Sequence, residues 1–314
     1  MKVLILTDVQ RSGMREDEAD TLLQVKAVKK ALLRLGHSVE VAAFSLNLIL
    51  TARRIEKSGC ELVFNLVENL SSSRLLHLVP LVCQTLSVPY SGGSAYTLSV
   101  TGDKLVAKRQ LGLAGLPTPP WLEDVAECSD FLQVPLMLKP VAQEASVGIT
   151  DASVRTFSDK AQLSLALSEH PDLFAERYID GREFNLSILP SGRVLPVCEM
   201  RFVDYPKDKV KIVGYEAKWQ QESFAYQHTQ RSYVFAPEQR VLVEELKRLA
   251  KEVYTLFGSS GYARVDFRVD EQNRPFVLEM NSNPCITADS GFIAAASEAG
   301  MSYTEVIEQL LGSY

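Results

Sequence analysis

Apolar residues recur along this chain with two periods, and the alternation between them lays out its elements. Residues 2–8 form a nearly unbroken apolar run, which predicts a buried parallel strand. A polar, acidic loop follows, and residues 21–35 then repeat with helical spacing up to Gly36, a helix-ending residue. The same reading gives a strand at 39–44, a helix at 49–57, a strand at 62–65 and a helix at 75–86. Strands alternating with helices predict an open parallel α/β layer ending near Gly93, with ligands bound outside the carboxyl ends of its strands. Further on, residues 135–140 make a short apolar strand that ends in Lys139-Pro140, and strands are expected at 173–179, 186–189 and 194–200. Residues 238–257 read as an amphipathic helix buried along Val241, Leu242, Leu246, Leu249, Val253 and Leu256. Residues 203–230 are polar and aromatic without a clear period, as in a functional or mobile loop. From residue 294 the pattern gives a short helix and then a closing one at 303–311.

The most informative stretch is 261–284, GYARVDFRVDEQNRPFVLEMNSNP. Val265, Phe267 and Val269 alternate with Arg264, Asp266 and Arg268. After a polar turn, Phe276, Leu278 and Met280 are expected on one face, with Glu279 and Asn281 on the other. Pairing the two runs as an antiparallel hairpin sets Asp266 opposite Glu279 and Arg264 opposite Asn281, with Cβ atoms about 4.5–5.5 Å apart. Two facing carboxylates repel and need a counter-charge. A hard divalent cation held with phosphate oxygens supplies one.

An acid on one strand and E-x-N-x-x-P closing the next resemble the metal-binding core of the ATP-grasp superfamily. The N-S-N-P-C-I-T run is similar to that of the D-alanine–D-alanine ligases. The resemblance implies an ATP-grasp fold of class α/β, in part α+β. A parallel α/β layer (1–93) would precede a central subdomain (94–178) and a C-terminal subdomain (179–314) with the metal site and a lid, the two clasping ATP. It implies Asp266, Glu279 and Asn281 as ligands of Mg²⁺, with Mn²⁺ an alternative. Lys104, in T-G-D-K, and Lys139 would reach the nucleotide phosphates, and Ser146 belongs to the small-residue loop A-S-V-G that closes over them. The E-R-Y-I-D-G-R-E-F run matches the family's E-x-x-x-x-G-x-E-F: Glu176, Arg177 and Ile179 would hold the adenine edge, and Glu183 the ribose hydroxyls. Lys218 in G-Y-E-A-K-W would be the lid lysine, Arg264 would neutralise a developing oxyanion, and Ser290 would hold a substrate carboxylate.

Composition narrows the class without naming it. Of 314 residues 46% are apolar and 23% charged, giving a net charge of −6, which argues against nucleic acid or an anionic membrane as partner. No apolar run has the length of a membrane span, the start MKVLILTDV lacks secretory-signal features, and five scattered cysteines form no C-x-x-C, so a reducing cytoplasm is expected. Four histidines without ligand spacing disfavour a zinc or triad enzyme, and no G-x-G-x-x-G follows the first strand.

The resemblance fails where it would define the amino acids. Residues 10–21 offer Glu16, Glu18 or Asp20 where the family has a defined glutamate, and NLVENLSSS stands in place of its H-G-x-x-G-E-D-G loop. Ala145 replaces a substrate-contacting serine, Trp219 a lid tyrosine and Cys285 a glycine. The expected function is an ADP-forming carboxylate–amine ligase acting through an acylphosphate on small-molecule substrates, with a changed amino-acid pocket and a homodimer allowed. A carboxylating or imine-forming ATP-grasp enzyme, a true D-alanine–D-alanine ligase and a non-catalytic nucleotide binder are the rivals.

Overall fold

The structure, a computed structural model, describes residues 1–9, 13 and 15–312, without the side chains of Asp17 and Glu18. The first layer runs β1 (Lys2–Thr7), α1 (Glu16–Arg34), β2 (Ser38–Ala43), α2 (Leu48–Ser58), β3 (Leu62–Leu66) and α3 (Leu78–Thr85). Its sheet is parallel, in the order β2-β1-β3, as alternating strands and helices require. α4 (Ala95–Thr101) and α5 (Lys104–Leu113) follow. Both start on side-chain caps: Ser94 accepts from the Thr97 N–H, and Asp103 from those of Leu105 and Val106. The second cap sets Lys104 at the head of α5.

The central sheet has the order β4-β7-β5-β6, from β4 (Trp121–Leu122), β5 (Pro135–Pro140), β6 (Val154–Thr156) and β7 (Leu173–Arg177), with α6 (Lys160–Glu169) against it. The third segment comprises β8 (Arg182–Ile188), β9 (Cys198–Phe202), α7 (Tyr215–Trp219), α8 (Phe224–His228), β10 (Thr229–Ser232), α9 (Arg240–Leu256), β11 (Ala263–Val269), β12 (Pro275–Ser282), α10 (Gly291–Glu298) and α11 (Tyr303–Leu311). Its five-stranded antiparallel sheet is ordered β10-β9-β8-β11-β12.

Three local expectations change. Residues 203–230 are not aperiodic: they contain α7, α8 and the start of β10. On α9 the buried stripe is Leu242, Leu246, Leu249, Ala250, Val253 and Tyr254, while Val241 is 82% exposed, because two neighbouring positions lie about 100° apart on a helix. α10 begins at Gly291, three residues before the expected start at 294, because Ser290 caps it.

The closing helix packs back across the chain. Val306, Ile307, Leu310 and Leu311 share one core with Val3, Ile5, Val28, Leu32 and Phe64, so the chain's end covers its first sheet. Near this junction backbones touch: a Cβ on Gly261 would stand 2.1 Å from the Gly92 carbonyl carbon, so only glycine fits.

Candidate active site

Three adjacent strands supply the polar face of the third sheet. Arg264 pairs with Asn281 and Asp266 with Glu279, the register expected from the sequence. On the other side Asp266 pairs with Asn185 and Arg268 with Glu183. The opposite face is apolar: Phe184, Leu186, Val265, Phe267, Val277 and Met280 pack in one core with α9. The expectation that Phe276, Leu278 and Met280 share that apolar face is corrected. The register shifts between Asp266 and Phe267 because Leu278 is an extra residue on β12, so Phe267 pairs with Val277, and Val277 is buried while Phe276 and Leu278 are half-buried. One extra residue reverses the parity of everything beyond it.

Asp266, 6% exposed, accepts four hydrogen bonds. The Arg264 guanidinium donates twice at 2.7 Å, and the amides of Asn185 and Asn281 donate at 2.8 and 3.0 Å. Glu279 lies 3.6 Å from the Lys104 ammonium, which donates to the Gln143 carbonyl at 2.5 Å. Burial acts to raise the Glu279 carboxyl, but Lys104, Lys139, Lys218 and Arg264 outweigh it and hold the group at about 2. Lys218 on the lid shares this field: burial, then Arg264, lowers its pKa against the pull of Asp266, Glu279 and Glu183. The structure thus draws the expected cations and acids together.

At the other end, Glu176 is bound by two lysines, Lys108 at 2.6 Å and Lys139 at 2.5 Å, and its pKa is lowered although burial acts to raise it. Glu183 meets Arg268 at 3.3 Å. Arg268 also donates to the Ile179 carbonyl at 2.9 Å and the Tyr178 hydroxyl at 3.0 Å, fixing the segment between β7 and β8. Arg177 turns its guanidinium to the Asp130 carbonyl at 2.8 Å, and its main-chain N–H donates to the Pro120 carbonyl at 2.8 Å.

Ala145 and Ser146 both adopt left-handed backbone, at φ +58° and +59°. Non-glycine residues rarely do so in succession, and the strain is held by contacts with the lid. The Trp219 indole donates to the Ala145 carbonyl at 2.9 Å, Ser146 Oγ to the Val213 carbonyl at 3.0 Å, and the Tyr215 N–H to the Ile149 carbonyl at 3.0 Å. Ser146's hydroxyl is therefore committed to the lid, and its carbonyl accepts from the Ile149 N–H at 3.0 Å. Ser290 likewise caps α10, accepting from the Ile293 N–H at 3.3 Å.

Of the acids near the start of α1, Asp20 reaches this side: the Cys285 thiol donates to its carboxylate at 3.0 Å. Glu16 is exposed, and the Glu18 side chain lies outside the described residues. Beside them Gln24 bridges the layers, donating to Glu68 at 2.9 Å and accepting from the Ile286 N–H at 2.9 Å. Burial pushes Glu68 up to about 8. Burial pushes Glu144 up to about 7 against the pull of Lys104, Lys218 and Arg264, and its charge acts on Glu68 as well. Lys108, Glu68, Gln24 and Glu144 were not singled out as site residues from sequence. Position at the end of a buried strand was the available signal for Glu68, and Lys108 had only its place one helical turn beyond Lys104.

Donor chemistry fits a hard cation completed by other oxygens. Among the described residues no three His, Cys, Asp or Glu side chains cluster as a metal site; the hairpin brings together two carboxylates, Asp266 and Glu279, and the Asn281 amide, oxygen donors of the kind a hard cation takes. Asn281 turns its amide nitrogen toward both acids, at 3.0 and 3.5 Å; ligation through its oxygen requires only a flip of that amide.

A parallel three-stranded sheet, a four-stranded and a five-stranded antiparallel sheet, with paired lysines, arginines and acids drawn from the last two and from α5, define an ATP-grasp protein. Residues 118–312 match the model of the D-ala D-ala ligase C-terminus family. A D-alanine–D-alanine ligase of Synechococcus sp. (strain JA-3-3Ab) is 32% identical over 99% of this chain and 93% of its own. One of Bordetella avium is 32% identical over 73% of this chain and 70% of its own. The crystal structure of D-alanine–D-alanine ligase from Bacillus anthracis complexed with ATP superposes with a TM-score of 0.75 at 22% identity, covering 99% of this chain and 96% of that one. This chain belongs to the D-alanine–D-alanine ligase family.

Proposed function

We propose that the protein is an ATP-dependent ligase that joins a carboxylate to an amine through an acylphosphate, releasing ADP and phosphate. One observation carries this reading: Asp266 and Glu279 face each other across the hairpin within a ring of Lys104, Lys139, Lys218 and Arg264. That arrangement suits a polyphosphate and its cation better than a solvated sheet face.

In this reading Asp266, Glu279 and Asn281 hold Mg²⁺ or Mn²⁺, which when bound neutralises phosphate charge. Lys104 and Lys139 grip the phosphates, and the Ser146 main chain closes over them. Glu176 and the main chain of Arg177 and Ile179 take the adenine edge, and Glu183 takes the ribose. A carboxylate is a weak nucleophile with a poor leaving group, and phosphorylation by ATP solves the second difficulty. Attack by the amine then puts charge on the acyl oxygen. Arg264 spends two of its five N–H groups on Asp266, and the others are available to that oxygen. Lys218 shields the transferring phosphoryl group, and Ser290 at the head of α10 receives a substrate carboxylate. Catalysis rests on positioning and charge rather than on a covalent enzyme intermediate.

The substrate pair has two readings. The names of the relatives favour D-alanine with D-alanine. The joint of Ala145 and Trp219 favours a bulkier amino acid: a backbone carbonyl and an indole meet there, and neither supplies a hydroxyl. In both, the Asp20 carboxylate suits an ammonium group. Phosphate release from ATP with D-alanine, and with a panel of larger D- and L-amino acids, separates them when products are identified by mass spectrometry. Efficient D-alanyl-D-alanine synthesis selects the first reading. Nucleotide binding with no release on any amine would remove the ligase assignment.

A further inference from the structure

Lys108 lies near the site and is almost fully buried, its side chain 1% exposed. Its ammonium meets Glu176 at 2.6 Å, Thr118 Oγ1 at 2.8 Å and the Pro119 carbonyl at 3.1 Å, and it lies 5.4 Å from the centre of the Trp121 ring. An ammonium has three N–H donors, and all three are spent. Thr118 in turn donates to the Val277 carbonyl of β12 at 2.9 Å. Lys108 therefore has no donor left for a nucleotide and cannot swing out to reach one.

Burying a lysine costs several kcal/mol before its partners repay it, so its place calls for a reason beyond packing. Charge supplies one. Glu176 binds Lys139 at 2.5 Å through its other oxygen. Without a second cation, that pair is neutral, and Lys139 presents little field to a phosphate. With Lys108 added, the trio carries one net positive charge on its accessible member; Lys139 is itself 7% exposed, against 1% for Lys108.

We infer that Lys108 is a positioning residue that neutralises Glu176, leaving the charge of Lys139 to the nucleotide phosphates. The inference rests on the ATP-binding reading above. It assigns a role to the trio of α5, β5 and β7 that geometry alone defines: both lysines bind Glu176, and Lys108 cancels its charge so that the charge of Lys139 is not cancelled.

The test is the ratio of adenosine to ATP dissociation constants at fixed Mg²⁺, which isolates the phosphate contribution and cancels changes at the base. K108M is expected to shrink this ratio about tenfold, the scale of one charge-assisted hydrogen bond. K108M/E176Q, which removes the acid as well as its balancing cation, is expected to restore it. A lysine serving only packing would show no such rescue. An unchanged ratio in K108M, or a double variant no better than K108M, overturns the inference. Should K108M fail to fold by circular dichroism, E176Q and K108M/E176Q are compared instead: equal ratios are expected, and a tenfold lower ratio in the double variant overturns it. Absence of ATP binding by the wild-type protein would instead sink the ATP reading itself.

Discussion

At the scale of single residues, the site is governed by which charges outnumber which. Considered alone, Asp266 facing Glu279 suggests that removing either acid relieves repulsion. The structure reverses the sign. Asp266 satisfies Arg264 and two amides, and Glu279 is held at about 2 by four cations. D266N and E279Q are each expected to abolish ATP-dependent phosphate release and to melt roughly 1–2 °C below wild type for each kcal/mol lost. A raised melting temperature would show that repulsion dominates. Because the Glu279 pKa is depressed, its contribution to stability is present above pH 4.5 and is lost as pH falls toward 2. Glu68 has the opposite sign. Its folded pKa of about 8 exceeds the ordinary 4.5, so the folded state holds the proton that the unfolded state releases. Its contribution is full below pH 4.5 and disappears as pH rises through 8. E68Q should gain on wild type progressively between those limits in a series of thermal melts; parallel curves would contradict the burial of Glu68 as an acid.

At the scale of elements, the lid and the small-residue loop act as one latch. Three hydrogen bonds join residues 213–219 to residues 145–149, and two left-handed residues sit under them. W219F keeps the aromatic bulk and deletes the N–H that Ala145 receives. The expected result is faster proteolytic cutting within 203–230 and weaker protection by a non-hydrolysable ATP analogue with Mg²⁺, since a lost latch raises the open population. Cutting rates equal to wild type in both conditions would mean that the indole bond holds nothing shut.

At the scale of the whole molecule, the first and last elements share a core. Leu310, 1% exposed, packs with Val3, Ile5 and Leu32, so the end of the chain stabilises its beginning. L310A is expected to cost about 2–5 kcal/mol. Hydrogen exchange should accelerate in β1 and β3 as well as in α11. Acceleration confined to α11 would show the helix to be an appendage. Two hydrogen bonds also tie the first layer to the segment after β12: the Cys285 thiol donates to Asp20, and the Ile286 N–H to Gln24.

What the sequence determined by itself was local and periodic. The parity of residues 264–268 fixed the polar face of β11, and the E-x-N spacing placed Glu279 and Asn281 opposite Asp266 and Arg264, because side chains on a strand alternate whatever lies around them. Asp103 announced the head of α5, and hence Lys104, because a cap acts within one turn. Tertiary structure decided what depends on distant partners. The bulge at Leu278 reversed a face because pairing, not propensity, counts residues. Asp20 separated from Glu16 because its partner lies 265 positions away. Lys108, indistinguishable in sequence from a surface lysine, became a buried counter-charge only when β7 brought Glu176 beside it. The latch, too, required residues 145 and 219 to meet, and no spacing along the chain encodes that meeting.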